Sequence, residues 1–352
     1  MFSSLPFGCM FFSVMGAGTL LSISSIHWLG IWAGLEINLI GFLPILVYQK
    51  STSESESAVK YFIIQALGSS FLMLGSLMSF SATFTWDMFS GVGNFEVIGL
   101  IFLFSGLCTK LGLFPFHYWL PSVMAGLPWV SCMLLATWQK LAPLFLMMCL
   151  LESAKIYYLV FMTCMISAGS SLIGGLGGMN QTQIRALLAY SSIGHLGWLM
   201  FSSLHSEWVT KAYLFVYILI SFSLFFSLWL VDYNSMKNIG NLKILGSGHI
   251  SILILLLSLG GLPPLLGFIS KWLVIYIGSG GPWSVIIFLL ILGSLMSLFY
   301  YLSLFFSILL GGLKMYSFVG AESKSNGILV IAIMTNVIGG VMILMTSLMN
   351  FL

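Results

Sequence analysis

The chain has 352 residues, of which 59% are hydrophobic and 6% charged, with mean hydropathy +1.09 and a formal net charge of +3. A water-soluble domain carries about 25% charged residues, so this composition excludes a water-facing surface and makes lipid the solvent. The small net charge and the lack of a basic run exclude a nucleic-acid partner, and no stretch reads as a separate soluble domain.

A transmembrane helix takes roughly 20 mostly apolar residues. The start, Met1 to Gly8, has neither the basic opening of a signal peptide nor an Arg-rich amphipathic pattern, so the first apolar segment is read as a retained span. Apolar runs between polar breaks predict an all-α polytopic protein of about eleven helices: 1–24, 25–49, 58–83, 96–119, 128–151, 156–178, 183–203, 208–233, 249–278, 283–311 and 327–350. The first division rests on Ser22 to His27. Polar joints such as Gln49 to Ser57, Asn180 to Thr182 and Asp232 to Gly248 mark others. With the N-terminus inside, inner loops hold Lys50, Arg185, Lys237, Lys243, Lys314 and Lys324, against Lys155 and Lys211 outside. The positive-inside rule supports that orientation, and an odd number of spans then puts the C-terminus outside.

Five ionisable residues are left within spans: Glu36, Lys60, Lys110, Lys140 and Lys271. A charge at the bilayer centre costs about 2.5–3.5 kcal/mol or more. Lys60 lies near the inner polar loop, and its long side chain reaches the interface by snorkelling. For the central four, two readings fit. One is a structural ion pair, such as Glu36 with Lys110, that pins helices. The other is a proton relay, because a buried amine changes protonation state when its charged partner moves. Three separate lysines exceed what one structural pair requires.

Two spans are interrupted at membrane depth. Gly112, Pro115 and Pro121 break the fourth, beside Lys110, and Gly260, Gly261, Pro263, Pro264 and Gly267 break the ninth, beside Lys271. Proline removes a donor and frees carbonyls that must be satisfied within the protein or by water. Matched breaks in two halves point to an inverted-repeat transporter with its ion site at the breaks. His117 and His195 are either relay members or satisfied core histidines, while His27, His205 and His249 fall at helix ends. The five cysteines form no C-x-x-C pair and read as packing residues, with no metal or cluster site implied. Gly174 to Gly178 lacks the Lys-Ser/Thr tail of a phosphate loop and reads as a close-packing stripe.

Several stretches resemble one family: WAGLEIN around Glu36, KYF at Lys60, TKLGLFPFHYWLP at Lys110, WQKLAPL at Lys140, NQTQIRALLAYSSIGHLGW from Asn180, and LSLGGLPPLLGFISKW at Lys271. Together they resemble the antiporter-like membrane subunits of NADH–ubiquinone oxidoreductase, respiratory complex I. The resemblance implies two inverted five-helix repeats, here 1–151 and 156–311, and a final helix over 327–350. It implies Glu36 and Lys110 as a coupled pair, Lys140 as central relay and Lys271 as the lysine of the second break. His117 and His195 join a hydrated axis, with Lys60 a weaker member. The implied function is proton translocation, with no cofactor on this chain and NADH, FMN, iron–sulfur clusters and ubiquinone bound elsewhere in the parent complex.

The implied partners are other membrane-arm and accessory subunits and lipid, in the mitochondrial inner membrane with the N-terminus in the matrix. Bacterial relatives of the family begin with three further helices, and eleven resemble the shortened animal form. The lack of a presequence fits synthesis inside the organelle. A cation/proton antiporter subunit and a structural membrane scaffold are the alternatives.

Overall fold

The computed structural model describes residues 8–48, 51–83, 86, 94–153, 157–231, 247–316 and 334–341. Among these, the chain divides into two units. The first, Met1–Thr163, holds α1 (Gly8–Ser24), α2 (Trp28–Leu46), α3 (Thr52–Thr83), α4 (Asn94–Leu111), α5 (Trp119–Gly126), α6 (Trp129–Ala136), α7 (Trp138–Ser153) and the start of α8 (Tyr157–Met179). The second, Cys164–Leu352, holds the rest of α8, α9 (Ile184–His205), α10 (Glu207–Val231), α11 (Ser247–Gly260), α12 (Leu266–Ser279), α13 (Ser284–Tyr316) and a helical stretch at 334–341.

Most predicted spans reappear as helices, and the weak first division holds, with α1 ending at Ser24 and α2 starting at Trp28. Three boundaries move. Helix α3 begins at Thr52, inside the expected polar joint, because Ser51 acts as its cap. The Ser51 Oγ accepts the Glu54 backbone N–H at 3.3 Å, and Glu54 brings a carboxylate to the first turn, a Ser-x-x-Glu start that favours a helix N-terminus. The expected 96–119 span stops at Leu111, with α5 a separate short helix. The expected 128–151 span is interrupted at Thr137, whose Oγ1 donates back to Met133 O at 2.7 Å, a bond that bends helices. Of the final span at 327–350, only 334–341 falls among the described residues. Lys50, Lys155, Lys237, Lys243 and Lys324, on which the orientation argument leans, lie outside them.

Among the described residues, six helical segments are long and apolar enough to cross a membrane unaided, including Trp28–Leu46, Tyr157–Met179 and Ser284–Leu309. Helices α11 and α12 are 14 residues each, about 21 Å at 1.5 Å per residue, short of a hydrocarbon core of about 30 Å. They pack on each other and are enclosed by α9, α10 and α13. In the first unit α3 packs on α2, α4 and α5, while α7 meets α1, α4 and α6. The Gly174–Gly178 stripe closes a helix contact as expected: a Cβ on Gly174 would lie 2.6 Å from the Gly194 backbone nitrogen, and one on Gly175 would lie 2.7 Å from Gly293 O.

The two breaks share one backbone pattern. Helix α4 ends with Gly112 at φ +75°, its N–H donating to Cys108 O and Thr109 O and the Leu113 N–H to Cys108 O. Helix α11 ends with Gly261 at φ +80°, its N–H donating to Leu257 O and Ser258 O and the Leu262 N–H to Leu257 O. Each is a Schellman-type ending, in which a left-handed glycine turns the last amides back onto the helix. A side chain at that φ costs about 1–2 kcal/mol. At Gly261 a Cβ would also lie 3.0 Å from the Lys271 Nζ, so the lysine depends on that open space. Across the second break, Leu266 N–H at the start of α12 donates to the Oδ1 of Asn336 at 3.2 Å, and Asn336 is fully buried.

Gly261→Ala is therefore expected to lower the yield of folded protein from membranes, by strain of about 1–2 kcal/mol. Gly280→Ala, where φ is −78° and the nearest atom to a new Cβ is 3.9 Å away, leaves it unchanged. Asn336→Leu removes the cap from Leu266 and is expected to cost about 0.5–2 kcal/mol, read as a lower midpoint of thermal inactivation.

Candidate functional site

In the first unit, two of the central lysines face one cavity. Lys110 at the end of α4 and Lys140 near the start of α7 are 7% and 4% exposed. Both line a cavity of about 20 Å³, together with Asn38, Tyr61, Gln65 and Gln139. A cavity needs roughly 10–15 Å³ to hold a water, so water fits between them.

The polar lining is fixed by hydrogen bonds between helices. Asn38 Nδ2 donates to Gln139 Oε1 at 2.8 Å, and Gln139 Nε2 donates back to Asn38 Oδ1 at 3.2 Å and to Met15 Sδ at 3.3 Å. This reciprocal amide pair ties α2 to α7 one residue before Lys140. At the break, Trp119 Nε1 donates to Thr109 O at 3.2 Å and Gln65 Nε2 to Lys110 O at 3.5 Å. Trp119 thus adds a second donor to Thr109 O, which also accepts the Gly112 N–H, and Gln65 supplies a donor for Lys110 O, which the end of α4 leaves open.

Glu36 is placed beside this group without closing a pair. Its Oε1 is buried and has no hydrogen-bond partner. No direct ion pair joins Glu36 to Lys110 among the described residues. The pinning reading expected such a pair. His117 is buried but stands apart from the cavity. Its Nδ1 meets Pro115 O at 3.1 Å and its ring lies against Tyr118, centroids 4.0 Å apart, so it braces the loop of the break. Lys60 lies on the exposed face of α3, paired one turn back with Glu56 at 2.5 Å, an exposed contact that contributes little.

In the second unit Lys271 is 8% exposed on α12. Its Nζ donates to Gly260 O at 2.9 Å and to Leu259 O at 3.4 Å. Those are the last carbonyls of α11, the negative end of its dipole, where a cation is favoured. Lys271 also lines a cavity of about 10 Å³ with His195, Tyr301, Ser191, Ser294 and Ser297. His195 Nδ1 meets Tyr213 Oη at 2.9 Å. Sequence reasoning found the charges and His195 but missed Asn38, Gln65, Gln139 and the tyrosines. An Asn or Gln inside an apolar run was the available signal for the amides. Tyr301, in an aromatic run, carried none.

Known proteins agree with this geometry. The profile described as NADH:quinone oxidoreductase/Mrp antiporter, transmembrane, matches residues 25–297. The chain is 39% identical over 267 residues to NADH-ubiquinone oxidoreductase chain 2 of Lumbricus terrestris, covering 75% of this chain and 76% of that one. It is 43% identical over 264 residues to the protein of the same name from Anopheles gambiae, covering 73% of each. A subunit in the structure of respiratory complex I from Thermus thermophilus with bound aureothin superposes with a TM-score of 0.80 at 26% identity, over 98% of this chain and 78% of that one. The chain thus belongs to the NADH:quinone oxidoreductase/Mrp antiporter transmembrane family.

Proposed function

We propose that the chain is a proton-translocating membrane subunit of respiratory complex I, coupled to NADH oxidation and ubiquinone reduction carried out by other subunits. One observation carries the reading: two buried lysines share a water-sized cavity, and Glu36 beside them has a buried Oε1 without a hydrogen-bond partner. A closed ion pair would resist change. A carboxylate acting through the field alters the protonation of Lys110 whenever it is neutralised or displaced. Redox-driven changes in neighbouring subunits bias Glu36, Lys110 gains or loses a proton in response, and water in the cavity exchanges that proton with Lys140.

In this reading the chain crosses the membrane eleven times as two inverted five-helix repeats, 1–151 and 156–311, followed by a final helix over 327–350. The shared Gly112 and Gly261 endings support the repeat. The setting is the mitochondrial inner membrane, as the names of the animal relatives suggest, with the N-terminus in the matrix. The partners are membrane-arm and accessory subunits and lipid. NADH, FMN, iron–sulfur clusters and ubiquinone belong to the parent complex and not to this chain. The family also includes Mrp antiporters, which keeps a cation/proton antiporter subunit as the second reading. Co-purification with a flavin- and iron–sulfur-containing assembly separates the two.

Lys140→Met tests the relay. In complex reconstituted into vesicles, NADH-driven acidification is expected to slow about tenfold or more, as for loss of a positioned proton-transfer group, while assembly on native gels is retained. Normal acidification at normal assembly overturns the reading. Glu36→Gln keeps the shape and removes the charge, and is expected to slow acidification in the same assay. Lys60→Ala removes only an exposed contact and is expected to leave it within about twofold.

A further inference from the structure

One segment of the second unit has no role in the relay proposed above. The helical stretch 334–341 lays Asn336 and Gly340, one turn apart and both buried, against the start of α12, while Met334 and Ile338 on its other face are exposed. A Cβ added at Gly340 would overlap Pro264 O and lie 3.0 Å from Leu266 N. The stretch therefore rests on the backbone of the second break with no room for a methyl group between them. Helix α12 needs this support, because Leu265 at its N-cap has no side chain that can accept a backbone N–H, a place normally filled by Ser, Thr, Asp or Asn. The Leu266 N–H is taken instead by Asn336 Oδ1 at 3.2 Å, from 70 positions along the chain. Hydrocarbon offers no substitute for that acceptor.

The start of α12 also sets where Lys271 is. Lys271 lies five residues past Leu266, about 7.5 Å along the helix. From there it reaches back across the break to Gly260 O at 2.9 Å and Leu259 O at 3.4 Å. Its side chain passes over Gly261, where an added Cβ would come within 3.0 Å of both Cδ and Nζ. A hydrogen bond is lost beyond about 3.5 Å, so withdrawing α12 from α11 by roughly 1 Å breaks both bonds. What fixes the first residue of α12 therefore fixes the amine.

We propose that the stretch 334–341 is a clamp on the second break, and that Asn336 is a positioning residue for Lys271. Through the Leu266 N–H and the backbone contact at Gly340, the clamp holds α12 at the distance from α11 at which Lys271 stays bonded to Gly260 O and Leu259 O. It acts on Lys271 only through the backbone of α12. Neither Asn336 nor Gly340 lines the cavity beside Lys271, and neither handles a proton. This inference rests on the chain being a proton translocator that uses Lys271.

Asn336→Leu keeps the size of the side chain and removes the acceptor. In complex reconstituted into vesicles and assayed below its inactivation midpoint, NADH-driven acidification per assembled complex is expected to slow about tenfold or more, as for a misplaced reacting group. Asn336→Asp keeps an oxygen at the same reach that accepts in either protonation state, and is expected to restore acidification. Gly340→Ala pushes the stretch off Pro264 O and is expected to slow acidification without touching the acceptor. Normal acidification by Asn336→Leu or Gly340→Ala overturns the proposal. So does an equal loss in Asn336→Asp, since the acceptor is then not what matters. If Lys140→Met is slow in the same vesicles, only the clamp has fallen; if it too pumps normally, the proton-translocating reading has fallen with it. Should Asn336→Leu not assemble, a density map of the unaltered complex decides. Asn336 Oδ1 within hydrogen-bond distance of Leu266 N supports the clamp, and a side chain turned away from it overturns the proposal.

Discussion

Hydrocarbon offers no hydrogen-bond partner, so a helix that ends inside a membrane must find donors for its last carbonyls within the protein. Both broken helices of this chain meet that constraint, and the way each does so sets the chemistry around it. At the end of α4 the donors are the neutral side chains of Trp119 and Gln65. At the end of α11 the donor is the lysine itself, reaching back from α12 to Leu259 O and Gly260 O. The first solution leaves Lys110 to face Lys140 across water-sized space. The second tethers Lys271 to the end of α11 by two hydrogen bonds. The same backbone ending thus supports two differently prepared amines.

Close packing makes those positions exact enough to matter. Gly112 and Gly261 turn the chain at positive φ, and the space above Gly261 is where the Lys271 side chain lies. The reciprocal amides of Asn38 and Gln139 fix α2 against α7 beside Lys140. Asn336 caps α12 from the described part of the last helix. Each contact removes a freedom from an element that carries a titratable group, so a proton meets a prepared geometry instead of a mobile chain.

In the proposed relay, Glu36 and Lys110 are coupled at a distance. No ion pair joins Glu36 to Lys110 among the described residues, and in a low-dielectric interior the charge of a carboxylate reaches a nearby amine with little screening. A contact pair at that position would be stable and unresponsive, because separating two buried charges leaves each uncompensated. Coupling through the field lets one group respond to the other without a bond having to break.

The amino-acid sequence alone determined the class, most helix positions, the buried charges and the two breaks. Each of these follows from local rules: hydropathy over some twenty residues, the cost of charge in lipid, and the backbone effects of glycine and proline. It also separated Lys60 from the central lysines by its nearness to a polar loop. The tertiary structure decided what those rules cannot reach. The early start of α3 came from one capping serine, the interruption at Thr137 from one back-bonding hydroxyl, and the bracing role of His117 from its place in the loop. The partners of the lysines came from residues far apart in sequence, with Asn38 meeting Gln139 across 101 positions. Tyr301 sits in an aromatic run where nothing marks one ring from the next; only folding turns its hydroxyl into the cavity beside Lys271. Charge and periodicity are properties of a segment, whereas a hydrogen-bond partner is a property of two.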